Sequence, residues 1–273
     1  MPCHAATFSV GDTTTVLSLV IFLFGMVMLC SLWLSGSVTG RPGAGLFSKC
    51  TTLLWGLSKV VLSYRIFLVL RALILDVVLQ RRLLKQSAAR WCIHSLIFLP
   101  FVFRFTWGLA ALMASLWMPE WTWPWVMLDK NHPVTAFLFD LTGAMVILGI
   151  CAALIRGIAR RSERPPGFPR QDYLAFSLIF GVVMIGFILE GMRMAMTGAP
   201  GSASYAFVGY AVSRAFSDIA LLADAYGIVW YYHAVLTGVF VAYLPFSRML
   251  HILLAPIVLI MNAVSEYEHR GQQ

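Results

Sequence analysis

The sequence predicts an all-α integral membrane bundle of five transmembrane helices with its N-terminus outside, plus a long cytoplasmic interfacial helical segment. Three observations carry this prediction. Of 273 residues, 60% are hydrophobic and 12% charged, and a mean hydropathy of +0.81 leaves too little polar surface to cover a soluble globule. Five stretches, about 14–35, 91–117, 134–156, 173–197 and 226–248, stay apolar long enough to cross a bilayer's hydrocarbon. Of the twenty Lys and Arg, sixteen fall in 36–93, in 156–170 or from Arg248 onward. The positive-inside rule therefore places those segments and the C-terminus in the cytoplasm, within one membrane domain spanning the chain. The +8 net charge is a topology signal, and nucleic-acid binding is a poor explanation for it.

The first span follows M-P-C-H-A-A-T-F-S-V-G-D-T-T-T, which has no basic n-region and no small-x-small cleavage site behind it. It reads as a retained helix, not a signal peptide. Between the first and second spans, Lys59, Arg65, Arg71, Asp76, Arg81, Arg82 and Lys85 interrupt each apolar run before it is long enough to cross. Residues 45–88 thus read as helix lying on the membrane, facing anionic lipid or a partner. The rival reading is a sixth span near 60–80. After the second span, M-P-E-W-T-W-P-W-V-M-L-D-K-N-H-P carries Trp121, Trp123 and Trp125, which suit an outer aromatic belt. The third span opens at Pro133. The loop R-R-S-E-R-P-P-G-F-P-R is a basic cytoplasmic turn. Residues 198–225 read as an amphipathic outer segment capping the bundle. The five cysteines (Cys3, Cys30, Cys50, Cys92, Cys151) show no C-x-x-C, so an iron–sulfur cluster or a covalently attached haem belongs on a partner.

The histidines point to chemistry. His233 and His251 lie eighteen residues apart in an apolar run. On one continuous helix that is five full turns, so both imidazoles share a face about 27 Å apart along the axis. An axial ligand near each membrane face is what a transmembrane pair of b-type haems requires; the alternative is two unrelated histidines. His94, at the cytoplasmic start of the second span, lies at the depth of His251 and is its expected partner. His132, just before Pro133, lies roughly at the depth of His233; ligand and helix-start residue are both open for it.

A second group is charged: Arg104, Asp140, Glu190 and Arg193 all fall in the outer half of their spans. Each would cost several kcal/mol alone in hydrocarbon. Glu190 and Arg193, three residues apart, can pair on one helix. The four form either a structural salt-bridge set or a quinol pocket in which a carboxylate takes up a proton.

These residues, with H-P-V-T-A-F-L-F-D-L-T-G and H-A-V-L-T-G-V-F-V-A-Y-L-P-F-S-R-M-L-H, resemble the five-span cytochrome b subunits typified by the nitrate reductase gamma subunit. That family includes the heterodisulfide reductase E subunit, the M subunit of the sulfite-reduction complex and the C subunit of the related transmembrane cytochrome complex. The resemblance runs from about 14 to 262. It implies an electron-transfer subunit in a bacterial or archaeal cytoplasmic membrane, with one or two haem b groups and menaquinone. It further implies a cytoplasmic iron–sulfur partner on the basic 45–88 and 157–172 segments and an outer multihaem cytochrome c as a possible second partner. The inner pair, His94 with His251, carries over. In the family pattern a second histidine follows His94 by ten positions, and here that position is Arg104. Either His132 completes an outer site with His233, or that site is altered or empty and Arg104 serves a propionate or quinone. Two further functions compete: a proton- or ion-coupled transporter built on the buried charges, and a haem-free, quinone-binding membrane anchor.

Overall fold

The computed structural model describes residues 13–35, 66–159, 173–198, 203–216 and 219–270, with isolated positions at 45, 47–49, 51, 55, 58, 62–63 and 201. All regular structure among them is helical. Four stretches are long and apolar enough to cross a membrane: Ala88–Trp117, Thr122–Ala159, Tyr173–Thr197 and Leu221–Phe246. The fifth expected span is the helix α1 (Thr13–Ser35), whose apolar stretch, Val16–Ser31, is shorter than those four. The chain divides into two compact units, residues 89–237 and residues 1–88 with 238–273.

In the first unit, α2 (Ile66–Ala72), a π-helical turn (Leu73–Val78) and α3 (Arg81–Gln86) make up the described part of the interfacial helical segment expected over 45–88. The break comes at Gln80, held in the left-handed region at φ 51°. The buried Asp76 carboxylate meets Arg81 at 3.3 Å and Arg82 at 3.6 Å, so part of the basic run is neutralised from within. Lys59 and Arg65 lie outside the described residues. The same unit contains α10 (His251–Arg270), against which α2 and the π turn pack.

The second unit builds on α4 (Ala88–Trp117), α5 (Thr122–Leu128), α6 (Pro133–Ala159), α7 (Tyr173–Thr197), α8 (Phe207–Ser213) and α9, which runs Ile219–Tyr243. The helix α6 starts as its sequence dictates. Pro133 has no N–H to leave unsatisfied in the first turn, and the His132 carbonyl accepts from Ala136 N at 2.9 Å. Its core face is Ala136, Asp140, Gly143, Val146, Ile150 and Ala153, at helical spacing and all buried. Opposite faces remain apolar and exposed: Phe105, Leu109, Leu112 and Leu116 along α4, and Leu148 and Ile155 on α6. Acyl chains solvate such stripes, which in water would drive association.

The tryptophan loop contains α5, tied down by Trp107 Nε1 donating to Met127 O at 3.0 Å and Thr135 Oγ1 donating to Val126 O at 2.8 Å. The outer segment expected over 198–225 contains a 3₁₀ turn (Ala203–Tyr205) and α8, and α9 begins seven residues before the expected 226. The basic turn beyond Ala159 lies outside the described residues until Tyr173.

The largest departure concerns the run from His233 to His251. The helix α9 stops at Tyr243, and two 3₁₀ turns, Leu244–Phe246 and Arg248–Leu250, intervene before α10 begins at His251. Pro245 cannot donate into a continuing helix, and Ser247, extended at φ −99° and ψ 166°, accepts from Met249 N to start the next turn. The five-turn extrapolation from His233 therefore does not reach His251.

Candidate functional site: a buried charged cluster flanked by histidines

Four elements of the second unit converge on Phe139 and its neighbours. The α4 residue Arg104 donates from Nε to Thr142 Oγ1 at 3.0 Å and from Nη2 to the Phe139 carbonyl, and its guanidinium carbon sits 5.1 Å from the Phe139 ring centroid. Thr142 can accept because its own hydroxyl donates to Leu138 O at 2.7 Å. Room for the guanidinium comes from Gly143: a Cβ there would lie 2.8 Å from Arg104 Nη2 and 2.6 Å from Phe187 Cζ. Lys130, from the α5–α6 loop, places Nζ 2.9 Å from the centroid of the same Phe139 ring.

From α7, Arg193 Nη2 donates to Glu190 Oε1 at 2.5 Å, the expected pair three residues apart, and Nη1 reaches Asn131 Oδ1. Asn131 is presented by a side-chain turn in which its N–H donates to Asp129 Oδ1 at 2.8 Å. The Glu190 stem packs on α8, where a Cβ at Gly209 would lie 2.5 Å from Glu190 Cγ. One residue on, Gly191 receives Val212 in the same way, at 2.6 Å to Cγ1.

Asp140 is 4% exposed, and Oδ2 accepts from Val208 N at 2.6 Å and Gly209 N at 3.1 Å. It caps the first turn of α8 from another helix, an interaction the orphan amides of any helix start require. The structure thus brings Arg104, Glu190 and Arg193 into one neighbourhood with Lys130, Asn131 and Phe139, and gives Asp140 a role in holding α8 there. Lys130, Asn131, Phe139, Thr142 and Gly209 were not singled out from sequence. Lys130 carried a signal, as a cation on the side of the chain the charge rule leaves nearly bare.

The histidines fall as follows. His132 and His233 are half-buried in this unit, and Nδ1 of each is buried with no hydrogen-bond partner among the described residues. Gly186 of α7 faces His233, with a notional Cβ 3.5 Å from its Cε1, and Arg104 lies within electrostatic range of His233. His94, half-buried on α4, stacks on Phe98 at 5.5 Å between centroids and 26° between planes. His251 belongs to the first unit and is exposed, with Nδ1 2.6 Å from Arg248 O. A carbonyl can only accept, so Nδ1 is the donor in this contact.

The sequence profile of the nitrate reductase gamma subunit matches residues 98–270. The chain belongs to this family. Membership makes it a multi-pass membrane protein of an archaeal or bacterial redox complex. Its relatives include the E subunit of the dihydromethanophenazine:CoB–CoM heterodisulfide reductase of Methanosarcina thermophila, 26% identical over 92% of this chain and 90% of that protein. Its counterpart in Methanosarcina acetivorans is 27% identical over the same shares. An EtfAB:quinone oxidoreductase of Syntrophomonas wolfei is 23% identical over 63% of this chain and 25% of its own length. No solved structure matches the chain. The family match takes in Arg104, His132, His233 and His251 and begins four residues after His94.

Proposed function

We propose that this chain is a haem b-bearing membrane subunit that passes electrons between menaquinol, or a similar lipid-soluble carrier, and a cytoplasmic iron–sulfur partner. The observation that carries the proposal is the state of the imidazoles: His132 and His233 each keep a buried ring nitrogen with no hydrogen-bond partner among the described residues. Buried polar atoms are nearly always satisfied, and a bound group is one of the ways in which such a nitrogen finds its partner. His251, with Nδ1 donating to a carbonyl, has the orienting bond that metal-bound histidines use. These donors would suit haem iron, for which neutral imidazole nitrogens are common protein ligands. His94 and His251 would hold an inner haem, and His233 with His132 an outer one. When bound, haem b supplies a reversible one-electron carrier.

The chain's own residues would handle the substrate. Glu190 is the proton acceptor for a quinol hydroxyl, and Arg193, bonded to it and to Asn131, fixes the direction in which its carboxylate points. Asp140 secures α8 against the Glu190 stem. In the orientation set by the positive-inside rule this pocket lies toward the outer face, so protons leave outside while electrons move inward, an electrogenic arrangement. The basic sequence segments 45–88 and 157–172 would receive the iron–sulfur subunit. The exposed indoles of Trp121, Trp123 and Trp125 would sit at the lipid interface or under an outer multihaem cytochrome c. The quinone assignment draws support from the named activity of the Syntrophomonas relative.

A dithionite-reduced minus oxidised spectrum of the purified subunit, with a pyridine haemochrome count, tests the reading. Two b haems per chain are expected. A single haem would retain His94 and His251 and turn the outer cluster into a quinone site alone. No haem in a folded preparation after haem-supplemented expression would overturn the proposal.

A further inference from the structure

We propose that Asp129, an exposed carboxylate in the loop between α5 and α6, is a positioning residue for Glu190: acting through Asn131 and Arg193, it sets the direction in which the Glu190 carboxylate meets its substrate. The proposal deepens the reading above and rests on it for the role of Glu190 as proton acceptor. What it adds is a control point for the pocket on the protein surface.

Residues 129–132 close one turn, with His132 N donating to Asp129 O at 3.2 Å. The turn stands on a fixed footing. Asp129 N donates to Trp125 O at 2.8 Å and so closes the end of α5, and Trp125 Nε1 itself donates to Pro119 O at 2.9 Å. The two residues in the middle of the turn both send their side chains into the cluster, Lys130 over the Phe139 ring and Asn131 to Arg193 Nη1. From the surface side, the Asp129 carboxylate accepts the Asn131 N–H at 2.8 Å, a charge-assisted bond about twice as strong as a neutral one. The hydrogen bonds then run inward without a break: Asn131 N donates to Asp129 Oδ1, Arg193 Nη1 to Asn131 Oδ1, and Arg193 Nη2 to Glu190 Oε1 at 2.5 Å. Burial changes along this line. Asp129 is exposed, whereas the side chains of Arg193 and Glu190 are 14% and 19% exposed. The Glu190 stem lies against Gly209 of α8, so the freedom left to its carboxylate is the direction Arg193 gives it. Arg193 is steered in turn by the amide oxygen whose place Asp129 sets. A general base works only when its oxygen stands within about 0.5 Å of the productive position. A water-facing carboxylate that fills no part of the core can therefore govern a buried one.

The test uses the full-length protein in nanodiscs, titrated with a hydroxyquinoline N-oxide, a quinol analogue whose hydroxyl can donate to a carboxylate, and followed by fluorescence quenching. Wild type, Asp129→Ala, Asp129→Asn, Glu190→Gln and the double variant Asp129→Ala/Glu190→Gln are compared, with circular dichroism as the check of fold. Asp129→Ala is expected to weaken the analogue about three- to tenfold. Asp129→Asn, which keeps an oxygen for the Asn131 N–H, restores most of that affinity. The double variant binds no more weakly than Glu190→Gln alone. This non-additivity separates positioning from a merely structural role, in which the two losses multiply. Wild-type affinity in Asp129→Ala, or a double variant weaker by the product of both single losses, overturns the positioning role and leaves the Glu190 reading standing. Glu190→Gln that binds the analogue and oxidises quinol as wild type does overturns both.

Discussion

Asp140 and Gly209 show how single residues set this site. A carboxylate inside a membrane span invites a catalytic assignment, yet Asp140 directs one oxygen to two backbone amides of α8. Its neighbour in that contact, Gly209, is the residue the Glu190 stem lies on. Asp140→Ala strands two buried donors, and a loss of about 2–4 kcal/mol is expected in mixed-micelle unfolding. Asp140→Asn keeps an acceptor and loses less. Gly209→Ala drives a methyl into Glu190 and costs about 1–3 kcal/mol. If quinol is bound beside Glu190 as proposed, Gly209→Ala, which shifts the carboxylate with its stem, is expected also to raise the quinol KM where Asp140→Asn leaves it near wild type. Equal KM values in the two variants would remove Glu190 from the pocket.

At the scale of elements, long apolar runs were readable because hydropathy alone dictates them. The spans near α4, α6 and α7 start and end within three residues of expectation. The end of α9 was not readable in that way. L-P-F-S sits inside an apolar run, and spans often tolerate proline when neighbours satisfy the freed carbonyls. Ser247, by opening a fresh turn, makes the break complete. The short α8 was illegible for a different reason: seven residues are too few for a periodic pattern, and its cap lies 68 positions upstream in Asp140. The site was legible where charge stood inside a span, as with Arg104, Glu190 and Arg193. Lys130 and Asn131 escaped because a loop position hides burial. Around the α9 break, Gly25 of α1 lies against Pro245 and Phe246, with a notional Cβ 2.7 Å from Pro245 Cβ. Gly25→Ala is expected to lower stability by about 1–3 kcal/mol, while the lipid-facing control Val16→Ala unfolds close to wild type.

For the whole molecule, the one-sided distribution of Lys and Arg predicts the orientation on which the proposed direction of electron flow depends. Cys30, Cys92 and Cys151 are free and exposed, so the five native cysteines are replaced by serine before single thiols are introduced. In intact cells or spheroplasts, an impermeant maleimide should label Trp123→Cys at once and Gln273→Cys only after permeabilisation. The reverse pattern would invert the molecule and put quinol chemistry on the cytoplasmic face. Orientation also bears on biogenesis through the Asp140 clasp. The ribosome makes the carboxylate 68 residues before the first amide it will bind. Helix α6 therefore enters the translocon before the amides that will bind its acid exist, with Arg104 of the earlier α4 as the opposite charge in range. Until α8 emerges, the Asp140 oxygen lacks both amides that will hold it, so the order of synthesis makes this clasp one of the later contacts of the unit to form.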